Sequence, residues 1–410
     1  MGIDTRTRRR ADVRDLAVHE VFGDLLREAV EAHGDLVADE IERRQLPPLR
    51  IESGDLGVTL SADDGSLAVT TSPDRAGVVA VVTETGLSNL AQDMQTPMGL
   101  AMTSRVEITT GRLDDWLAWE PALHALFDGR PPYREGAVEL VEKDGSPLDL
   151  HRSFTLDDDA DDSGWFLEQA GFLHVRGVFD EAEMAAVGAD LDACLSECTP
   201  DDGESWWATD ADGVEQAVRV LWFHERSATL AGLLADRRLH WLADLTGDDF
   251  ATDHMGAEGL VKPLGITRGL SDLPWHKDCG QGMHSYNCSG LTVGISVTGA
   301  DAKSGALGVI PGSHRANTES SMRSSDLDLR PIMLETATGD VTVHCSDTLH
   351  RAHAPVERPR KVVYTGIPLR PLPGDGDGDW WKQTRAGARA ARAGLSDVND
   401  RIDRAAGDAG

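Results

Sequence analysis

Apolar residues recur at helical spacing through residues 11–44, where Leu16, Leu26, Ala29, Val30, Val37 and Ile41 form a stripe. Pro47-Pro48 stops that helix. The period then shortens, and strands are predicted over residues 49–51, 57–60, 67–71 and 78–83, with Asp63-Asp64-Gly65 as a hairpin turn. A helix over 87–93, a strand over 105–109 and a helix over 113–127 complete a small α+β unit with a meandering sheet. A second pattern starts near residue 165. It opens with a short helix over 165–170 stopped by Gly171, and a strand over 173–175. Asp180 then caps a helix over 181–197, striped by Met184, Val187, Leu191 and Leu195. Another helix is predicted over 229–245, burying Leu230, Leu233, Leu234, Leu242 and Leu245. Short strands follow over 260–264, 291–297, 307–310, 332–335, 341–344 and 361–368, separated by Gly- and Pro-rich turns. Helices followed by a run of short strands predict a β-sandwich or barrel with a helical layer on one side.

A chain of 410 residues is long for one core, so two domains are expected, over residues 1–137 and 165–374. Residues 138–164 turn acidic, with Asp157-Asp158-Asp159-Ala160-Asp161-Asp162, and like charges in a block predict a solvated linker. Residues 375–410 read as a helical C-terminal tail, with Trp380-Trp381 and an Ala/Arg-rich stretch from Arg385 to Arg392. Seventy acidic against 39 basic residues give a net charge of −31, which argues against nucleic acid or an anionic membrane as partner. No apolar run approaches the roughly 18 residues needed to span a bilayer. No apolar segment follows the Arg-rich start, so a soluble, cytoplasmic protein is expected. Five cysteines do not make a disulfide framework, and Cys194 and Cys198, one helical turn apart, lack the second pair a metal site needs. The sequence leaves the oligomeric state open.

The first unit holds no His, Cys or carboxylate cluster with ligand spacing. Its Met94, Met98, Leu100, Met102, Trp116 and Trp119 suit either an ordinary core or an apolar cavity. The order of its elements, with "VVTETGLSNLAQDM" and "MTSRVEITTGRLDDWLAWEPALHALF", resembles a sterol-carrier-protein-type lipid-binding domain. Gly111-Arg112 stands where that family often has Gly-Asp. The resemblance implies a tunnel for a fatty acyl chain; the rival is a structural or dimerisation domain.

Chemistry concentrates in the second unit. In Trp275-His276-Lys277-Asp278 an imidazole and a carboxylate stand two residues apart, and on an extended strand both face one side. Two histidines and one carboxylate form the facial triad of non-haem Fe(II) oxygenases. His344, His350 and His353 compete for the third position. A co-substrate carboxylate needs a fixed cation, for which the planar fork of an arginine is suited.

The stretch from about Phe166 to Leu369 resembles the phytanoyl-CoA dioxygenase family of Fe(II)/2-oxoglutarate oxygenases. The resemblance rests on "FLEQAGFLHVRGVFDEAEM", "LPWHKDCG", "GALGVIPGSHR" and "GDVTVHCSDTLHRAHAP" with "RPRK", in the family's order. It implies a double-stranded β-helix (a cupin-like jelly roll) with flanking helices. It also implies His276, Asp278 and His350 as iron ligands and Arg360 as the anchor of 2-oxoglutarate. Arg358 and Lys361 are lesser candidates for the anchor. Ala352 stands where many members have a hydroxyl residue that assists the arginine. Lys262, Trp275, Thr267 and Gln281 flank the site, and Lys262 and Trp275 are candidates to touch the co-substrate. The implied reaction uses Fe(II), 2-oxoglutarate and O2 to hydroxylate an unactivated C–H bond, releasing succinate and CO2. Related halogenases carry a small residue in place of the carboxylate, so Asp278 implies hydroxylation. The implied partner is a small-molecule substrate. A lipid or acyl thioester follows from the fused first unit, a natural-product or amino-acid-like metabolite is the alternative, and a non-catalytic carrier on the same fold is the rival class.

Overall fold

The computed structural model describes residues 2–375 apart from 7, 75, 201, 254, 270–273, 279–289, 323–324 and 326. Gln281 and the tail from residue 376 therefore lie outside the described residues. The first long helix proper runs Leu26–Arg44, because Gly23 leaves helical torsions (φ −97°, ψ −105°) in the wider turn Val21–Leu25. Gln45 ends it in the left-handed conformation, with φ 54°. Strands Leu49–Ser53, Leu56–Asp63 and Ser66–Thr70 meander as expected, and Asp64 and Gly65 make their hairpin turn at φ 52° and 76°. The meander then breaks. Val78–Val82 pairs in parallel with Leu49–Ser53 on its free side, and Val106–Thr110 closes the sheet antiparallel to it. Pro48 sets this start, since its carbonyl accepts from the amides of both Gly77 (2.8 Å) and Val78 (3.1 Å).

Met98, Leu100, Met102, Trp116 and Trp119 belong to one buried apolar cluster that fills this unit. Each indole has a backbone acceptor, Pro97 for Trp116 (3.1 Å) and Pro47 for Trp119 (3.0 Å).

Residues 138–164 differ from the solvated linker expected of them. Leu148 and Phe154 are buried in the core of the second unit, and Phe154 meets Phe166 edge-on at 5.3 Å. The Phe154 amide donates to His174 O, and the Arg176 amide to Phe154 O, so the segment adds a bridge to a strand edge. The acidic run begins a helix: Asp159 accepts from the amides of Asp161 and Asp162 and caps Ala160–Ala170. Negative charge is stabilising there because the unpaired amides of a helix N-terminus point at it.

The second unit is the jelly roll. Eight strands form one antiparallel sheet, in the order Ile266–Arg268, Ser205–Asp210, Glu215–Val220, Ala257–Lys262, Arg360–Pro368, Gly290–Ser296, Val341–Cys345 and Phe172–Val175. Ser321–Met322, Trp275–His276, His350–Ala352, Leu307–Val309 and Ile332–Leu334 form the other. The hairpin over residues 205–220 is an addition to the predicted strands. Helix Glu181–Glu197, capped by Asp180, buries Met184, Val187 and Leu191 in the main core, where Gly259 leaves room for Leu191 and Phe223. The helix predicted over 229–245 divides after Leu234, because the Asp236 side chain caps a new turn at Arg238. No helix among the described residues is long and apolar enough to cross a membrane.

Candidate metal centre

The smaller sheet brings the two ligand segments together. His276 and His350 are register partners on adjacent antiparallel strands, and their ring centroids lie 4.1 Å apart. Asp278 follows the end of the strand Trp275–His276 and still faces the same side. Its Oδ1 lies 3.7 Å from His276 Nε2 and 3.4 Å from His350 Nε2. Among the described residues, His276, Asp278 and His350 are the group of three whose ligand atoms fall within 4.8 Å of one another. Each imidazole is fixed from behind: His276 Nδ1 meets Pro274 O at 2.8 Å and His350 Nδ1 meets Thr348 O at 3.0 Å. A ring whose Nδ1–H is given to a carbonyl presents a lone pair at Nε2, the atom facing Asp278.

The larger sheet completes the wall. Thr292 Oγ1 donates to Asp278 Oδ2 at 2.7 Å. His344, its register partner on the next strand, brings Nε2 to 3.4 Å from the same oxygen and lays its ring 4.1 Å from that of His350. Burial pushes His276 down to about 3 and His344 to about 4, so both rings are neutral near pH 7. Burial also works against charge on Asp278, but His350 and His344 outweigh it and hold the carboxyl well below its ordinary range. For His350 burial is likewise overcome, here by Asp278, and its pKa is raised. Two imidazoles with converging lone pairs and an ionised carboxylate fit a divalent first-row metal. Asp278 keeps 36% of its side-chain surface exposed, against 5% for His276.

Alternation along Arg360–Pro368 separates two of the candidate cations, and the third, Arg358, lies before the strand. Arg360 turns inward and is buried at 4%, whereas Lys361 turns out to Asp192 at 2.5 Å and Arg358 pairs with Asp301 on the surface. Arg360 donates to Gly305 O (2.8 Å) and to the Tyr364 hydroxyl (3.2 Å), and its buried Nε makes no hydrogen bond. Tyr364 thus supplies the hydroxyl that Ala352 lacks.

Residues 167–361 match the family model described as phytanoyl-CoA dioxygenase (PhyH). This part of the chain is a PhyH-family domain. The family is one of Fe(II)/2-oxoglutarate-dependent oxygenases. The solved structure of the epimerase SnoN with Fe3+, alpha ketoglutarate and nogalamycin RO is 19% identical, covering 53% of this chain and 92% of that chain at a TM-score of 0.41. EctD from S. alaskensis with 2-oxoglutarate and 5-hydroxyectoine is 18% identical, covering 58% and 86% at 0.42. AviO1 from Streptomyces viridochromogenes Tue57 is 17% identical, covering 52% and 98% at 0.40. No curated protein matches the chain.

Within the PhyH domain the remaining predicted residues part company. Lys262 is the register partner of Arg360, and its ammonium donates to the carbonyl of His353. Trp275 packs with Ile310, Leu329 and Leu349 in an apolar cluster, because it alternates with His276 and faces the other way. Its indole and the His353 ring meet edge-on at 6.5 Å. Thr267 bonds to the Thr209 and Asp210 carbonyls on an exposed edge. Ser313, in the Pro-Gly-Ser-His turn, accepts from the amide of Leu349 at 2.8 Å and so steadies the approach to His350. The contacts of Thr292 and Tyr364 are not legible in the sequence, because they depend on how the strands are placed in the sheets. The register also sets Glu258 opposite Tyr364, and Arg219 opposite Leu260, on the inward side that carries Arg360. Arg219 pairs with Glu258 and stacks over the Trp206 ring at 4.4 Å.

Proposed function

We propose that the chain is a non-haem Fe(II)- and 2-oxoglutarate-dependent dioxygenase that hydroxylates a small polar metabolite. The observation that carries the reading is the convergence of His276, Asp278 and His350 on one point, with the buried fork of Arg360 on the neighbouring wall. His276 and His350 would hold the iron through Nε2 and Asp278 through Oδ1. Arg360, assisted by Tyr364, would pair with the far carboxylate of 2-oxoglutarate, a task for which two parallel N–H bonds are suited. Bound iron with 2-oxoglutarate and O2 supplies the oxidation, giving succinate, CO2 and a hydroxylated substrate. Asp278 fills the position that a halide would need, which favours hydroxylation.

The inward wall beyond Arg360 carries the Arg219–Glu258 pair, the Tyr364 hydroxyl and Lys262. An acyl chain would cover these groups and add no hydrogen bond to those they already make, whereas a metabolite with carboxylate, amino or hydroxyl groups would bond to them. The apolar side chains of the first unit pack into its own core, which weakens the acyl reading that rested on them.

Anaerobic Fe(II) and 2-oxoglutarate added to the full chain should give the weak visible band of the chelate. Succinate release should then rise with amino-acid-like or small natural-product substrates over acyl-CoAs and fatty acids. No band at saturating ligand would turn the reading towards a carrier.

A further inference from the structure

Lys277 lies between the two ligand residues His276 and Asp278 and is buried at 2%. Alternation turns its side chain away from the metal cluster, and its ammonium donates to Ala316 O at 3.1 Å. Its backbone amide donates to Ser320 O at 2.8 Å. Residues 316–320 thus run as a strap behind the ligand segment, and the next residue, Ser321, is the register partner of His276.

The other side of the strap is held by the first unit. Ser320 donates its hydroxyl to Glu120 Oε2 at 2.8 Å, and its amide bonds to the same carboxyl. Glu120 begins the helix Glu120–Asp128, and both Glu120 and Ser320 are buried at 1%. Asn317 donates to Pro121 O and Arg130 O, each at 3.0 Å, and its Oδ1 lies 3.1 Å from His124 Nδ1. The Tyr133 amide donates to Asn317 O at 3.0 Å, and Arg44 pairs with Glu319.

We infer that the first unit is a positioning element of the metal centre, in which Glu120 acts through Ser320 to fix the Lys277 peptide between His276 and Asp278. The inference rests on the reading that His276, Asp278 and His350 hold the metal. The path is short and buried: carboxyl to Ser320, Ser320 carbonyl to the Lys277 amide, and one residue from there to each ligand. An acidic side chain is costly at such a depth unless it is bonded, and Glu120 spends its bonds on the strap. Partners that orient ligands from outside the coordination shell govern metal affinity as well as activity. Glu120 and Ser320 are positioning residues and touch neither metal nor substrate.

The test uses the full chain and cobalt(II) alone, followed by its visible absorption and its dissociation constant, with far-UV circular dichroism to verify folding. Glu120→Ala should bind cobalt about tenfold more weakly, with an altered band. Glu120→Gln should restore wild-type binding, since the amide oxygen accepts both bonds from Ser320. Ser320→Ala, the gentler change, should weaken binding in the same direction. Wild-type affinity and spectrum in folded Glu120→Ala would overturn the inference, and if that variant does not fold, the same result in Ser320→Ala would overturn it. If the wild type itself binds cobalt no better than His276→Ala, the metal reading fails instead.

Discussion

The hydroxyl of Thr292 bonds to Oδ2 of Asp278 over 2.7 Å and leaves Oδ1 to face the two imidazoles. One carboxylate oxygen is tied to the larger sheet and the other faces the histidines. In the proposed site a carboxylate held in this way would meet the metal through a single oxygen without having to turn. Thr292→Val is therefore expected to weaken Fe(II) or Mn(II) binding about tenfold, while Thr292→Ser holds wild-type affinity. Anaerobic metal titration reads the difference.

Removing the carboxylate itself goes further. Asp278→Ala should lose metal affinity beyond the roughly 100-fold range of outer partners, and with it succinate formation coupled to substrate oxidation. Full coupled turnover in this variant would show that the ligands had been assigned wrongly.

The anchor is tested by the Michaelis constant for 2-oxoglutarate. Arg360→Gln removes charged hydrogen bonds and should raise it about 10- to 100-fold. Arg360→Lys should recover little, because a point charge cannot reproduce the planar fork. Arg358→Gln, at an exposed pair with Asp301, should leave it unchanged.

Burial pushes Glu120 up to about 8, against the bonds from Ser320 and the charge of Lys277. Its ordinary value is near 4.5, so between about pH 4.5 and 8 the folded chain holds a proton that the unfolded chain has lost. This group favours folding most below that window, and its contribution falls as pH rises through it. Denaturant midpoints at pH 5.5 and 8 should differ more in the wild type than in Glu120→Gln, which has no proton to lose.

The packing of residues 138–164 is checked by stability. Phe154→Ala removes a fully buried ring and should cost about 3–5 kcal/mol in denaturant unfolding. Asp157→Ala, on the exposed surface, should stay within about 0.5 kcal/mol. A merely tethering segment would show no difference between them.

Local signals in the sequence were strong where one residue decides the outcome. Asp180 caps its helix, Asp64-Gly65 makes its turn, and the helical stripe of Met184, Val187 and Leu191 is the buried face. The His-x-Asp spacing worked for the same reason, since two residues on one extended segment share a side. What stayed hidden depended on register between distant strands. Thr292 stands beside His344 because Gly290–Ser296 pairs with Val341–Cys345, its hydroxyl meets Asp278 from the other sheet, and Tyr364 reaches Arg360 from four residues along one strand. The parallel return of Val78–Val82 was hidden because it is set by the carbonyl of Pro48, thirty residues back. The acidic run is misleading because a block of like charge reads as solvated chain, while its Asp159 side chain caps two backbone amides.

His276 and His350 face each other across two short strands, and each alternates with a large apolar neighbour, Trp275 and Leu349, that points into the opposite cluster. A slip of one residue in that pairing would exchange an imidazole for an indole or an isobutyl group at the cluster. Only the native register offers two nitrogens to an ion. A chain paired in any other register would lack that pair of nitrogens, so metal affinity would report on the correct alignment of the two strands.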